Sequence, residues 1–161
     1  MGESPCSNLQ GLAKQWPIFL AYLNSFAMIY LVWYKHYHLF KKIETISMKL
    51  FFMNGVWLFF LTLVPFATGW VGEFPFSPLP ECSYALIILI WSSTLELIDG
   101  QIMRETCLER EYYYVPKIRI FNYISFITAM IVAFIEPILC LTIIFLISVI
   151  NVIVISRNNN E

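Results

Sequence analysis

The sequence predicts an all-α integral membrane protein with five transmembrane helices joined by short loops. Of its 161 residues, 59% are hydrophobic and only 13% are charged, whereas a soluble domain carries about 25% charged residues. The stretch from Lys49 to Glu73 is almost uninterrupted apolar sequence. A span of about 20 such residues is what a helix needs to cross roughly 30 Å of hydrocarbon. The length allows one domain.

Five apolar stretches form the predicted transmembrane domain, residues 16–156. A polar N-terminal segment, 1–15, precedes it, and a polar tail, 157–161, follows it. Trp16, Trp33 and Tyr34 bracket the first stretch, as aromatic residues do at both membrane interfaces. The five predicted spans cover residues 16–34, 49–70, 83–98, 118–135 and 138–155.

Two connecting segments differ strongly in composition. The segment from Gly72 to Ser83 contains three prolines, which predicts a short extended loop. Residues 99–119 form the one densely charged stretch of the sequence, and we expect Asp99 to lie in a loop there. The part from Gln101 to Glu111 can continue the third helix beyond the membrane, because its charges recur at helical spacing.

The placement of lysine and arginine predicts the orientation. Nine of the ten basic residues lie on one side of the predicted spans, and only Lys14 lies on the other. Cytoplasmic loops carry such an excess, so we expect a cytoplasmic C-terminus and, with five spans, an outside N-terminus. The first fifteen residues lack the pattern of a cleaved signal peptide.

A few polar residues within the apolar stretches are candidate functional residues. Asn24 and Asn54 need partners inside a membrane and are expected to bond other helices. Glu96 lies near the basic end of the third span, where it is either an intramembrane functional carboxylate or solvated at the interface. His36 and His38 stand two apart and do not share a helix face, which disfavours a two-histidine metal site. They form an interfacial pair, or one of them reaches inward to a neighbouring helix.

Other classes of function have little support in the sequence. Cys6 and Cys82 would face the outside and could pair as a disulfide. The sequence has no zinc spacing, nucleophile elbow or phosphate loop, so we expect no enzyme activity, cofactor or bound metal. The basic residues form no stripe, so nucleic acid is not an expected partner.

Two motifs together resemble the transmembrane protein 175 family of potassium channels, in its short bacterial form. The first is Tyr22-x-x-Ser25-Phe26 with Trp33-x-x-His36-x-His38-Leu39-Phe40. The second runs from Asn54 through Leu58-Phe59 and Pro65-Phe66-Ala67-Thr68 to Gly72. The likeness extends over nearly the whole chain, although Tyr37 interrupts the histidine run that the family often has.

The resemblance implies a tetramer of six-span subunits that conducts potassium passively. The family's first span carries an Arg-x-x-x-Phe-Ser-Asp-Gly signature and lines the pore, and this sequence has no match to it. Its five predicted spans correspond to the family's second to sixth. The resemblance also implies that His36, His38 and Asn54 form an inter-helix polar network that contacts the signature helix.

These observations leave three functional hypotheses. The first is a homo-oligomeric potassium channel whose first helix is supplied by an earlier start than Met1 or by another subunit. The second is a non-conducting interaction or partner subunit, a truncated family member. The third is a small proton-coupled transporter that uses Glu96. The expected location is a bacterial inner membrane, with membrane lipid as the surrounding partner.

Overall fold

The structure, a computed structural model, describes residues 16–106 and 116–158. This part of the chain consists of five α-helices and contains no β-strand, which confirms the predicted all-α class. The helices, in chain order, are α1 Trp16–Phe40, α2 Met48–Glu73, α3 Pro78–Thr106, α4 Pro116–Ala133 and α5 Pro137–Asn158.

Local sequence explains where these helices begin. Three of them, α3, α4 and α5, start at a proline, a position where the missing N–H group would have no intrahelical partner anyway. Helix α2 instead begins after Ser47, whose side-chain oxygen accepts a hydrogen bond from the Leu50 amide at 3.2 Å. This is the N-cap arrangement that serine favours.

Helix α2 carries an internal proline, Pro65. Proline has no amide hydrogen, so the carbonyl of Leu61 has no helical partner one turn later. Three residues further on, the Thr68 hydroxyl donates to the Val64 carbonyl at 2.8 Å. The helix therefore continues to Glu73 with one backbone hydrogen bond fewer than a regular helix of its length.

The helices form a closed bundle in which each packs against its neighbours in sequence and α5 returns to α1. Two hydrophobic clusters fill it. The tryptophan cluster lies toward the basic end and joins only α1, α2 and α3; it comprises Leu31, Val32, Leu39, Leu50, Trp57, Val64, Trp91, Leu95, Ile98 and Ile102. The alanine cluster lies toward the opposite end and joins all five helices; it comprises Ala21, Met28, Ala67, Val71, Tyr84, Ala85, Ile88, Phe126, Ala129, Ala133, Cys140, Leu141, Ile144 and Ile147.

Four of the described helices are long and apolar enough to cross a membrane. The qualifying segments are Ile18–Phe40, Met48–Glu73, Pro78–Thr106 and Pro137–Val154. Large apolar side chains cover the outside of the bundle, as hydrocarbon contact requires. The chain is therefore an integral membrane protein. Helix α4, over the predicted span 118–135, is not among the four qualifying helices, so the count of five transmembrane helices is supported only in part.

Several helices are longer than the predicted spans. Helix α1 continues six residues beyond the predicted end at 34, and α3 replaces the predicted span 83–98 with a continuous helix from Pro78 to Thr106. Asp99 therefore lies in a helix and is only 2% exposed, contrary to the expected loop position. Hydropathy marks the apolar part of a helix, but a helix ends where its backbone hydrogen bonding ends.

Candidate functional site

The first polar contact between helices joins α1 to α2. The His36 Nε2–H group donates to Asn54 Oδ1 at 2.8 Å. The imidazole ring stacks on Trp57 at 4.2 Å and on Phe40 at 4.4 Å between ring centroids. One face of His36 thus rests on the tryptophan cluster, which fixes the ring so that its nitrogen points at Asn54.

His38 points elsewhere. Its ring lies 4.3 Å from the Tyr34 ring and 5.5 Å from the Tyr37 ring, both on its own helix. The structure therefore brings together His36 and Asn54 from the predicted network and places His38 against aromatic rings of its own helix. The two-residue spacing accounts for the difference, since residues i and i+2 face different directions on a helix.

Glu96 is the centre of a second polar group, which joins α3 to α4. The Tyr123 hydroxyl donates to Glu96 Oε2 at 3.0 Å, and Arg119 Nε lies 3.7 Å from the same oxygen. Lys35 of α1 is close enough for a favourable charge interaction with this carboxylate. The Glu96 side chain is 23% exposed, so it is neither fully buried in the membrane interior nor fully solvated at the interface.

A small cavity of about 50 Å³ lies next to Glu96, where α1, α3, α4 and α5 diverge. Its polar lining includes Lys35, Arg119 and the facing amides of Asn122 and Asn151. These two side chains exchange hydrogen bonds at 3.3 and 3.1 Å, which ties α4 to α5. A cavity of this size and polarity can hold a water molecule.

The third polar group lies within the alanine cluster and joins α1, α2 and α3. Ser25 Oγ lies 2.6 Å from Thr68 Oγ1 and 2.9 Å from the Tyr84 hydroxyl, and it donates to the Ala21 carbonyl at 2.9 Å. Asn24, which is fully buried, donates to the Leu141 carbonyl of α5 at 3.4 Å. Both arrangements match the expected role of polar residues as bonds between membrane helices.

Glu81 is the buried residue that sequence reasoning missed. It lies in the first turn of α3 with 0% exposure, and among the described residues neither carboxyl oxygen has a hydrogen-bond partner. The sequence contained one usable signal, because Pro78 marks a possible helix start three residues earlier. The three prolines between Gly72 and Ser83 predict an extended loop around Glu81 instead.

The cysteines and possible metal ligands add no further site. Cys82 donates to the Met130 carbonyl at 3.2 Å, and Cys140 lies 3.9 Å from the Glu81 carbonyl oxygen. Cys6 lies outside the described residues, so its predicted pairing with Cys82 stays a prediction. Within 16–106 and 116–158, no group of three metal-ligating side chains could hold an ion.

The fold and these contacts define a polytopic helical membrane protein whose helices are joined by buried polar groups. Comparison with known proteins gives a family resemblance. The family model described as "Endosomal/lysosomal potassium channel TMEM175" matches residues 3–65. This part of the chain is therefore similar to the TMEM175 family, which is the family that the two motifs resemble.

Individual relatives agree. A potassium channel of Chryseobacterium sp. (strain P1-3) is 31% identical over 88 residues, which is 55% of this chain and 46% of the relative. A potassium channel of Chamaesiphon minutus (strain ATCC 27169 / PCC 6605) is 34% identical over 70 residues, 44% of this chain and 34% of the relative. The matched parts thus span less than half the length of these relatives.

A solved structure shares the fold. The crystal structure of a lysosomal potassium-selective channel TMEM175 homologue from Chamaesiphon minutus aligns with a TM-score of 0.72 and 22% identity. The alignment covers 94% of this chain and 79% of that chain. The likeness extends over the described helices and supports the arrangement of the bundle.

Proposed function

We propose that this chain is a subunit of a potassium channel that conducts passively through an oligomeric pore. The observation that carries the proposal is the hydrogen bond between His36 and Asn54, the two residues that the family resemblance assigns to one inter-helix network. Both lie within the matched residues 3–65. The relatives that match the chain are named potassium channels and not enzymes.

The pore of this channel needs a lining helix, and the surface of α1 is suited to pack against one. A stripe of aromatic side chains follows one face of α1 at helical spacing, each 55% exposed or more: Phe19, Tyr22, Phe26, Tyr30 and Trp33. We propose that this stripe, together with neighbouring α2, contacts a pore-lining helix. That helix comes from a longer form of this protein or from another chain.

The proposal includes α4 as a fifth membrane span. Its outward-facing side chains are almost all apolar, and five of them are 45% exposed or more: Ile120, Phe121, Ile124, Ile127 and Ile131. Such a surface suits lipid better than water. With five spans and the basic side cytoplasmic, the C-terminus lies inside a bacterial cell and the N-terminus outside.

Potassium flux into liposomes tests the proposal. Two samples are compared: the 161-residue chain alone, and the complex purified through a C-terminal tag from the native locus. We expect potassium-selective, barium-blocked flux from the native complex and none from the chain alone. If neither sample conducted potassium, the channel hypothesis would be overturned in favour of a non-conducting partner subunit. Flux from the chain alone would overturn the requirement for a supplied helix.

A matched pair of variants tests the role of the His36–Asn54 hydrogen bond in the native complex. Asn54→Leu removes the acceptor of the His36 hydrogen bond and leaves a polar ring without its partner. We expect a severalfold loss of flux. Phe52→Leu changes an exposed residue on the same helix and should conduct normally. Equal flux from both variants would show that the contact has no part in conduction.

A further inference from the structure

A groove on the side of the bundle lies between α2, α3 and α4, at the basic end of these helices. Its volume is about 690 Å³, and it is open to the surroundings of the bundle. Each of the three helices contributes one cationic side chain to its lining: Lys49 from α2, Arg104 from α3 and Arg119 from α4. Three separate elements therefore direct positive charge at one recess.

The cations exceed the carboxylates around this recess. Glu96 lies in the lining and is occupied by the Tyr123 hydroxyl and by Arg119 Nε. Glu105 lies beside the groove and already accepts hydrogen bonds from Ser47 at 2.8 Å and Gln101 at 2.7 Å. Of the charged side chains that line the groove itself, three are cations and one, Glu96, is a carboxylate, so the lining carries a net positive charge, which suits an anion.

Hydrogen-bond donors in the groove suit a phosphate in particular. The Arg119 guanidinium contacts Glu96 through Nε, and an arginine side chain has five N–H donors in all. Arg104 and Lys49 are both exposed, and they add a second planar fork and an ammonium group. Arginine and lysine together are the usual protein donors to phosphate oxygens.

The walls of the groove indicate that the phosphate belongs to a lipid. Leu97 is 64% exposed and Ile120 is 55% exposed, and both line the groove beside the cations. A free inorganic phosphate would gain nothing from these apolar side chains. A phospholipid would place its acyl chains along them while its headgroup reached the cations, since basic recesses between membrane helices bind anionic headgroups.

We propose that this groove is a binding site for one anionic phospholipid, whose headgroup phosphate contacts Lys49, Arg104 and Arg119. The lipid ties α2 to α4 at the basic end, where the tryptophan cluster reaches only α1, α2 and α3. It thereby adds a contact between α2 and α4 at the end of the bundle where the tryptophan cluster contains no residue of α4. The proposal does not depend on conduction.

Native mass spectrometry of the full chain in detergent tests the site. Dioleoylphosphatidylglycerol is titrated against the wild type, against Lys49→Gln/Arg104→Gln and against the control Lys41→Gln/Lys117→Gln. The control loses the same two charges from exposed positions outside the groove lining. Because each basic residue near a lipid headgroup changes affinity by roughly fivefold, we expect the groove variant to bind about 25-fold more weakly and the control to lose far less.

Two further arms identify the ligand. Dioleoylphosphatidylcholine carries the same phosphodiester without net charge and should bind weakly to all three proteins. Inorganic phosphate at millimolar concentration should not displace phosphatidylglycerol. Equal loss in the two double variants, equal binding of the two lipids, or displacement by phosphate would each overturn the proposal. A thermal melt of each variant without added lipid verifies that it is folded.

Discussion

Helix α3 holds two glutamates in different surroundings, Glu81 in its first turn and Glu96 further along, toward the basic end. Glu96, at the basic end, has a tyrosine donor and an arginine beside its carboxylate. Glu81, at the other end, is fully buried, and among the described residues its carboxyl oxygens have no partner. A buried polar group costs free energy when it has no hydrogen-bond partner, and more when it is charged. We therefore expect Glu81 to weaken the bundle and Glu96, which has partners, to stabilise it.

The hydrophobic packing near the two glutamates also differs. The tryptophan cluster fills space with large rings, and Trp57 and Trp91 lie 5.6 Å apart between ring centroids. The alanine cluster contains five alanines, whose small side chains let helices approach closely, together with larger residues such as Tyr84 and Phe126. The tryptophan cluster thus joins three helices through large rings, and the alanine cluster joins all five.

The largest expected effect is at the tryptophan cluster. Trp91→Ala removes a fully buried ring and leaves a cavity between α2 and α3. We expect the free energy of unfolding, measured by denaturing-detergent titration, to fall by about 3–5 kcal/mol. Trp33→Ala, at a ring 55% exposed, is the control and should change it by much less. Equal losses in the free energy of unfolding from the two variants would mean that the tryptophan cluster does not stabilise the basic end of the bundle.

The next prediction is that replacing the two glutamates by leucine changes the free energy of unfolding in opposite directions. Glu81→Leu replaces a buried carboxyl without partners by an apolar side chain of similar size, and we expect it to raise the free energy of unfolding by about 1–3 kcal/mol. Glu96→Leu strips Tyr123 and Arg119 of their acceptor and should lower it by about 1–2 kcal/mol. The same titration measures both variants. If both raised or both lowered the free energy of unfolding, the proposed difference between the two glutamates would be refuted.

A smaller effect is expected in the hydroxyl group of the alanine cluster. Tyr84→Phe removes the hydroxyl that lies 2.9 Å from Ser25 Oγ in the buried interior. A loss of about 1 kcal/mol in the free energy of unfolding follows from one buried hydrogen bond. Tyr30→Phe, on the exposed face of α1, should leave stability unchanged. The proposed joining role of Ser25 would fail if both variants behaved alike.

The smallest effect is expected at the partnered glutamate. Tyr123→Phe removes the hydroxyl donor but leaves Arg119 beside Glu96. Because this region is partly exposed and the second partner persists, we expect a loss of about 0.5 kcal/mol, visible as a small decrease in the thermal midpoint. A loss as large as that of Tyr84→Phe would show that Arg119 does not compensate.

The sequence predicted the class of fold and the existence of each helix, because long apolar stretches have few alternatives to a membrane helix. It allowed the third helix to continue from Gln101, but it did not predict that α3 starts at Pro78 or that Asp99 lies inside the helix. Charged residues at a membrane surface are compatible with a helix or a loop, and only packing against α2 decides between them. The burial of Glu81 and Asp99 follows from that extension and was missed with it.

The candidate site was predictable to a similar degree. Family resemblance singled out His36 and Asn54, and the structure joins them. Resemblance also included His38, whose direction depends on the rotation of α1 against its neighbours. The partners of Glu96 lie 23 and 27 positions away in sequence, on α4. Such pairings arise from how the helices pack, and a hydropathy pattern does not contain that information.

The proline inside α2 gives that helix uneven stiffness. A regular helix resists bending because every turn is braced by hydrogen bonds, whereas the turn at Pro65 lacks one. Thermal bending of α2 should therefore concentrate at this turn and leave the segments on either side straight. Asn54 lies in one of these segments and Thr68 in the other. We therefore expect the segment that holds Asn54 to tilt against the segment that holds Thr68, with the Thr68–Val64 hydrogen bond bridging the turn between them.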